Sequence, residues 1–148
     1  MALFLPDANV LINALLKDSA EHQACHRWLT QTSAEGGTIA LCEIVEVALL
    51  RIPTLPKLNL VPMVHTLGFW KDDLWSYPGT IRLAAGALHF GILSEVINTL
   101  GLRGNDINDA WLAALAIENN ATLVSTDKGF AKYHGLNWIN PTKAIGFR

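Results

Sequence analysis

Four acidic residues are the part of this sequence best suited to chemistry: Asp7, Glu46, Asp109 and Asp127. Each lies at or near the end of a hydrophobic segment, in contexts such as LFLPDANVLI and TLVSTDKGF. Carboxylates gathered in one pocket repel each other and resist ionisation unless a cation is present. We therefore expect them to hold a hard divalent cation, Mg²⁺ or alternatively Mn²⁺, of the kind that acts on phosphate groups.

Three of these acids also have an ordinary structural interpretation. Asp7 and Asp127 precede predicted helices, and aspartate is a favoured N-cap residue. Asp109 lies in the first turn of a predicted helix, where a negative charge interacts favourably with the helix dipole. The coincidence of the acids with three strand–helix junctions favours a shared site over separate structural roles.

Two positions remain ambiguous from the residues alone. Glu43 and Glu46 are three residues apart, share a helix face and could form a solvent-facing stripe. Asp106 precedes Asp109 by three residues and competes for the same role. The residue pattern does not decide between the members of either pair.

Short apolar runs alternate with segments of helical periodicity along most of the chain. This alternation predicts a three-layer α/β/α sandwich with a central, mainly parallel sheet of four to five strands. In such a sheet the C-terminal ends of the strands meet at one edge, where ligands bind. The predicted strands are 2–5, 38–42, 121–125 and 136–139, and the predicted helices are 10–17, 21–32, 43–52, 109–119 and 127–133.

The middle of the chain carries fainter strand signals. Residues 53–62 contain three prolines and are predicted to form a loop. Residues 63–73 and 80–100 are predicted to be helical, with an extended piece at 74–79 between them. Asn108 is predicted to cap the helix that starts at Asp109.

Composition limits the class of protein. The 148 residues are 51% hydrophobic and only 16% charged, which predicts a single domain over residues 1–148 with a real core. No apolar run reaches the roughly 18–20 residues of a membrane span, and two cysteines make no disulfide framework. We expect a cytoplasmic protein without membrane contact. The net charge of −2 neither supports nor excludes a nucleic-acid substrate.

The chain resembles the PIN-domain ribonucleases, and specifically the VapC-type toxins of bacterial toxin–antitoxin pairs. Three segments carry the resemblance, which covers most of the chain and is weakest across residues 55–100: LPDANVLINALLKDSAEHQACHRWL, CEIVEVALLRI and NDAWLAALAIENNATLVSTDKGFAKYHGLNWINP. The resemblance implies a PIN-like fold and an acidic centre at the four acids named first. It also implies that Asn9 and Thr126 support the ligands, with Glu43 and Asp106 as lesser candidates.

Within the ambiguous pairs the resemblance makes a choice. Glu46 matches the family's acid because it lies five residues before Arg51. Asp109 matches because it directly precedes an Ala-aromatic-Leu-Ala-Ala run. One departure is Asn108, where many relatives have proline; asparagine caps a helix well, so we expect no loss of chemistry.

The implied activity is metal-dependent cleavage of RNA that leaves 5′-phosphate and 3′-hydroxyl ends. Asp7 and Asp127 would bind the metal directly, while Glu46 and Asp109 would bind a second ion or orient the attacking water. The implied partners are a cognate antitoxin, which often places a basic side chain among the acids, and a second copy in a homodimer.

Other functions compete with this one. A PIN nuclease outside any toxin pair, or an inactive PIN scaffold that only binds, would share these motifs. A receiver-like signalling domain has adjacent acids after its first strand, whereas Asp7 has no acidic neighbour. A haloacid-type phosphatase requires an Asp-x-Asp motif, but here the residue two positions after Asp7 is Asn9.

Overall fold

The computed structural model describes residues 2–144 and contains a five-stranded parallel sheet with strand order β3-β2-β1-β4-β5. The predicted α/β sandwich is confirmed. Met1 and residues 145–148 of the predicted single domain lie outside the described residues. The strands are β1 Leu3–Pro6, β2 Thr38–Cys42, β3 Ile81–Leu83, β4 Thr122–Val124 and β5 Asn137–Ile139.

The helices are α1 Ala8–Leu15, α2 His22–Ala34, α3 Glu43–Arg51, α4 Met63–Gly68, α5 His89–Leu100, α6 Asp106–Glu118 and α7 Pro141–Ala144. Helix α1 packs against α2 and α3, and α5 packs against α6. A π-helical turn over Phe69–Asp73 follows α4, and 3₁₀ turns cover Leu74–Ser76 and Lys128–Lys132. Among residues 2–144, no helix is long and apolar enough to cross a membrane.

The core runs along the central strands. Leu5, Leu41 and Leu123 are fully buried within β1, β2 and β4. Strands covered by helices on both faces read as continuous apolar runs, as TIALC and TLV do here. This packing fixes the C-terminal ends of β1, β2 and β4 at one edge of the sheet, and each end is followed closely by an acidic residue.

The middle of the chain departs from the sequence prediction in two elements. The pattern predicts one helix over residues 80–100, but they divide into β3 and α5. β3 forms because Ile81, Arg82 and Leu83 pair in parallel with Ala40–Cys42 of β2. The predicted extended piece at 74–79 begins with a 3₁₀ turn at Leu74–Ser76.

The connection into α5 is held by a carboxylate of α6. Glu118 accepts hydrogen bonds from the backbone N–H groups of Gly86 at 2.9 Å and Leu88 at 3.0 Å. A Cβ at residue 86 would lie 2.6 Å from a Glu118 oxygen, so any larger residue there would have to displace the carboxylate. The contact fixes where the chain leaves β3 and starts α5.

The start of α6 also differs from prediction. The helix begins at Asp106 rather than Asp109, so Asn108 lies inside the first turn and is not the cap. Asn105 occupies the cap position without a side-chain capping hydrogen bond. Both Asp106 and Asp109 therefore lie in the first turn of α6, at the same end of the helix.

Candidate functional site

Asp7 stands at the junction of β1 and α1. Its backbone N–H donates to the carbonyl of Val124 at 2.8 Å, which ties the end of β1 to the end of β4. One carboxylate oxygen caps α1 by accepting from Ala8 N at 2.7 Å. The other oxygen accepts from the hydroxyl of Ser125 at 2.8 Å. The structural interpretation of Asp7 as a cap is thus observed, together with a second contact across the sheet.

Ser125 connects the residues around Asp7. It is fully buried just after β4, and its hydroxyl accepts from Asn9 Nδ2 and from the backbone N–H of Asp127, both at 3.1 Å. Its carbonyl accepts from the Trp138 indole at 3.0 Å. This single side chain fixes the ends of β1 and β4 relative to each other and orients one oxygen of Asp7.

The two predicted supporting residues meet in this network. Asn9 Nδ2 also donates to Asp7 Oδ2 at 3.3 Å, and Asn9 Oδ1 accepts from the backbone N–H of Thr126 at 3.3 Å. Asp127 caps the 3₁₀ turn after β4 by accepting from Gly129 N at 2.8 Å. One oxygen of Asp127 is committed to the cap, and the residue is exposed.

Asp109 lies in the first turn of α6, and the charges of Asp7 and Asp127 act on it. Burial raises the pKa of Asp109 to about 6, with further raising by the charges of Asp7 and Asp127, while Lys132 acts in the opposite direction. Burial also raises the pKa of Asp7, the hydrogen bonds of Ser125 and Ala8 oppose it, and Asp127 adds to it. The three aspartates therefore lie within electrostatic range of one another.

Glu46 lies in the first turn of α3, which follows β2 directly, and it is buried. Arg82 of β3 donates to it from Nε at 2.8 Å and from Nη2 at 2.7 Å. The Trp70 indole donates to it at 2.8 Å. Burial acts to raise the pKa of Glu46, but these hydrogen bonds and the charge of Arg82 hold it below its usual range.

The two alternative acids take other positions. Glu43 is exposed in the first turn of α3, and its charge acts on Arg82. Asp106 is half-buried in the first turn of α6, and its charge acts on Asp109. Neither residue has a side-chain hydrogen bond to Asp7 or Asp127 among the described contacts. Preference for Glu46 over Glu43, and for Asp109 over Asp106, stays a prediction.

The donor set fits a hard cation in its chemistry. Carboxylate and hydroxyl oxygens dominate, and two of the carboxyls have raised pKa values that a dication would reverse. Tyr133 adds an orphan hydroxyl, which is buried without a hydrogen-bond partner within residues 2–144. Burial and the charges of Asp109, Asp106 and Asp127 raise the pKa of Tyr133 to about 12.

The positions of these donors fit a bound metal less well than their chemical types do. Across the described chain, no three His, Cys, Asp or Glu side chains lie close enough together to hold a metal ion as they stand. The aspartates Asp7, Asp109 and Asp127 share one edge, whereas Glu46 is turned to Arg82. The expected site of four acids thus divides into three aspartates and one paired glutamate.

Sequence reasoning missed three residues of this region. Ser125 has a detectable signal, because a serine directly after an apolar strand and two residues before an acid is placed to bond backbone and carboxylate. Arg82 gives no signal, since the pattern does not predict β3. Tyr133 resembles an ordinary core position in the sequence, and only the fold shows that the charges of Asp109, Asp106 and Asp127 act on its hydroxyl.

A large groove in the described part of the chain lies away from the three aspartates. It has a volume of about 1310 Å³ and runs between the end of α1 with the start of α2 and the segment 60–77. None of the four acids lines it. His22 and His26, which stack at 5.5 Å, border it with His65 and Asp72. This groove is therefore separate from the edge of the sheet where the acids lie.

Sequence comparison identifies relatives along nearly the whole chain. The PIN domain family model matches residues 79–136. Ribonuclease VapC43 of Mycobacterium tuberculosis is 33% identical over 137 residues, which cover 91% of this chain and 92% of the relative. Ribonuclease VapC37 of the same organism is 29% identical over 136 residues, with 91% and 94% covered.

Solved structures share the fold. VapBC2 from Rickettsia felis, bound to a DNA fragment from the promoter, matches with a TM-score of 0.68 at 24% identity, over 93% of this chain and 98% of that chain. VapBC-1 from nontypeable Haemophilus influenzae matches with a TM-score of 0.69 at 17% identity, over 95% and 99%. With a relative at 33% identity spanning almost its full length, this chain belongs to the VapC family of PIN-domain proteins.

Proposed function

We propose that this chain is a metal-dependent endoribonuclease, the toxin of a toxin–antitoxin pair, that hydrolyses RNA phosphodiester bonds at the edge formed by Asp7, Asp109 and Asp127. The observation that supports the proposal is that the charges of Asp7 and Asp127 act on Asp109, and that the pKa values of Asp7 and Asp109 are raised. Relatives matched over more than nine-tenths of their own length are named ribonucleases.

The chemistry follows from the ligand types. Asp7, Asp109 and Asp127 would hold Mg²⁺ or Mn²⁺, which supplies charge stabilisation to the phosphate and lowers the pKa of a water molecule. Ser125 fixes one oxygen of Asp7 at 2.8 Å, and Ala8 N fixes the other at 2.7 Å. These bonds orient the carboxylate before substrate arrives, which is the condition for electrostatic catalysis.

A protein partner is part of the proposal. The solved neighbours are described as VapBC complexes, and we propose that an antitoxin covers this chain too. Several apolar side chains are exposed in and just before α4, some of them lining the large groove, and a group of exposed apolar residues favours an interaction site. These exposed residues are Leu58, Leu60, Met63, Val64 and Leu67.

We further propose a homodimer and a cytoplasmic location. Leu88 and Phe90, at the start of α5, are 67% and 80% exposed and form a second apolar surface away from α4. Both cysteines, Cys25 and Cys42, are free and buried, as in proteins of reducing compartments.

One alternative has a specific observation in its favour. The pairing of Glu46 with Arg82 removes one of the four expected acids from the site, which is what an inactive PIN scaffold would tolerate. A PIN nuclease that acts outside a toxin pair would have the same acids but no antitoxin. Metal-dependent activity separates the scaffold from both nucleases.

The test is cleavage of a panel of labelled RNAs by purified protein in Mg²⁺ or Mn²⁺. Wild type is expected to cut at least one RNA, with cutting abolished by EDTA and by Asp7→Asn. Asp18→Asn, an exposed change of the same kind on the α1–α2 connection, serves as the matched control and is expected to cut normally. If no RNA in the panel is cut and no metal binds, the nuclease proposal is wrong and the inactive PIN scaffold is the remaining alternative.

A further inference from the structure

Arg82 is held in one orientation while half of its side chain faces solvent. Its Nε and Nη2 both donate to Glu46, and its guanidinium lies over the ring of Trp75 at 4.8 Å. The side chain is nevertheless 49% exposed. Within the described chain, Nη1 has no hydrogen-bond acceptor. An arginine whose position is fixed by a carboxylate and an aromatic ring, with a free donor edge, is preorganised to bind an anion.

Both carboxylate oxygens of Glu46 accept hydrogen bonds in this arrangement. Oε1 accepts from Arg82 Nε, and Oε2 accepts from Arg82 Nη2 and from Trp70. The side chain is 6% exposed. The three donors take three of the roughly four acceptor positions of the carboxylate, so a metal bound through both oxygens would have to displace donors of Arg82 and Trp70. Removing a partner from a buried polar network is costly.

The strand order places Arg82 relative to the aspartates. Arg82 pairs with Leu41 near the C-terminal end of β2, and β2 separates β3 from β1. Two strand spacings put Arg82 about 10 Å from the end of β1, at the same edge of the sheet as Asp7. On the opposite side, Lys132 follows β4 and its charge acts on Asp109. Cations therefore flank the aspartates along the sheet edge.

We propose that Arg82 binds a phosphate of the RNA strand next to the one that is cut, and that Glu46 is its positioning residue instead of a ligand for the metal. The inference rests on the proposed function and names a substrate contact for the same site. An RNA strand laid along the sheet edge would place its reacting phosphate at the aspartates and neighbouring phosphates at Arg82 and Lys132.

The first test measures RNA binding without cleavage, in an Asp7→Asn parent, with a short labelled single-stranded RNA titrated over a range of KCl concentrations. Removing the cation that neutralises one phosphate lowers the slope of log affinity against log salt by about 0.7 for a single strand. Arg82→Gln is expected to lower it by that amount. Arg82→Lys should keep the slope and bind more weakly, because lysine cannot donate as a fork.

Arg51→Gln is the matched control, since it removes the same charge at the far end of α3, about 12 Å along the helix from Glu43. Its slope should equal that of the parent. An unchanged slope in Arg82→Gln would overturn the assignment of Arg82 while leaving the proposed nuclease intact. Failure of the parent to bind any RNA, with no cutting by wild type, would overturn the proposed function and this inference together.

The second test asks whether Glu46 binds metal, by titrating Mn²⁺ and following the free ion by EPR. The double variant Glu46→Gln/Arg82→Gln removes both charges and keeps hydrogen-bonding groups, so it leaves no stranded ion. It is expected to bind Mn²⁺ as wild type does, whereas Asp109→Asn should bind about tenfold or more weakly. Equal weakening in the double variant and in Asp109→Asn would make Glu46 a ligand and overturn its positioning role.

Discussion

At the residue scale, the proposed site is a group of carboxylates whose mutual repulsion costs stability when no cation is bound. Asp109 has a pKa of about 6 against an ordinary 3.8, because it is partly buried and the charges of Asp7 and Asp127 act on it. The folded protein therefore binds more protons here than the unfolded chain does between these two pH values. Stability from this group is full below pH 3.8 and is lost as pH rises through about 6.

Asp109→Asn should therefore stabilise the metal-free protein near neutral pH. One pKa unit corresponds to about 1.4 kcal/mol, and partial exposure screens the interaction, so we expect a gain of about 1–2 kcal/mol. Urea unfolding in EDTA measures it. The gain should shrink as pH falls and vanish well below 3.8, where Asp109 is protonated in both states. A variant that is less stable than wild type near neutral pH would contradict this account of the site.

Tyr133→Phe should be neutral or stabilising in the metal-free protein. The substitution removes a buried hydroxyl that has no partner within the described residues and keeps the ring that packs at 5.8 Å from Phe130. An unsatisfied buried polar group costs about 1–3 kcal/mol. We expect a gain of up to about 1 kcal/mol in thermal unfolding, since the raised pKa already keeps the hydroxyl neutral. A clear decrease in stability would mean that the hydroxyl has a partner in solution, and Tyr77→Phe provides the comparison.

The site residues differ in how far the sequence could reveal them. Asp7, Asp109 and Asp127 are detectable because each follows or begins an apolar segment, and the fold brings their elements to one edge. Ser125 was missed although its signal is present, because it directly follows an apolar strand and precedes Asp127 by two residues. Arg82 could not be found, because the pairing of an arginine with Glu46 depends on which strand lies next to β2.

At the scale of elements, β3 depends on its ion pair. The strand has three residues, lies at the sheet edge and is mostly exposed, so its own packing is weak. Arg82 and Glu46 connect it to α3. Arg82→Ala is expected to lower the melting temperature by roughly 3–8 °C, because Glu46 would be left buried and unpaired.

Hydrogen exchange gives the local measurement for this prediction. Amides of Ile81–Leu83 and of their β2 neighbours should exchange faster in Arg82→Ala, while those of β4 and β5 keep their protection. The double variant Glu46→Gln/Arg82→Gln should recover part of the lost stability, because it removes the stranded charge. Unchanged exchange in β3 would show that the ion pair does not hold the strand.

The elements themselves were predictable where the pattern was long. Helices α1, α2 and α3 and strands β1, β2, β4 and β5 lie within a few residues of their predicted bounds. The three residues of β3, IRL, are too few to show a period of their own, so the sequence pattern assigns them to the helix that follows. Their conformation is decided instead by pairing with β2. It places the start of α6 at Asp109 because Asn108 resembles a cap, whereas the helix begins one turn earlier.

At the scale of the whole molecule, two exposed apolar surfaces predict two kinds of partner. If the surface at the start of α5 forms the homodimer, Phe90→Asp should convert the protein to a monomer in light scattering. A charge on a side chain that is 80% exposed does not disturb the fold, so the effect is specific to association. Val64→Asp, which is 70% exposed on α4, should remain dimeric. A monomeric wild type, or a dimeric Phe90→Asp, would contradict this assignment.

The central claim is that three aspartates from distant parts of the chain form one metal-dependent ribonuclease site. Its most direct test is the cleavage rate of a labelled RNA as a function of Mn²⁺ concentration near neutral pH, for wild type, Asp109→Asn and Asp127→Asn. We predict saturable, Mn²⁺-dependent cutting by wild type and a rate about 100-fold lower in each variant. Cutting by either variant at the wild-type rate, or wild-type cutting that persists in EDTA, would contradict the claim.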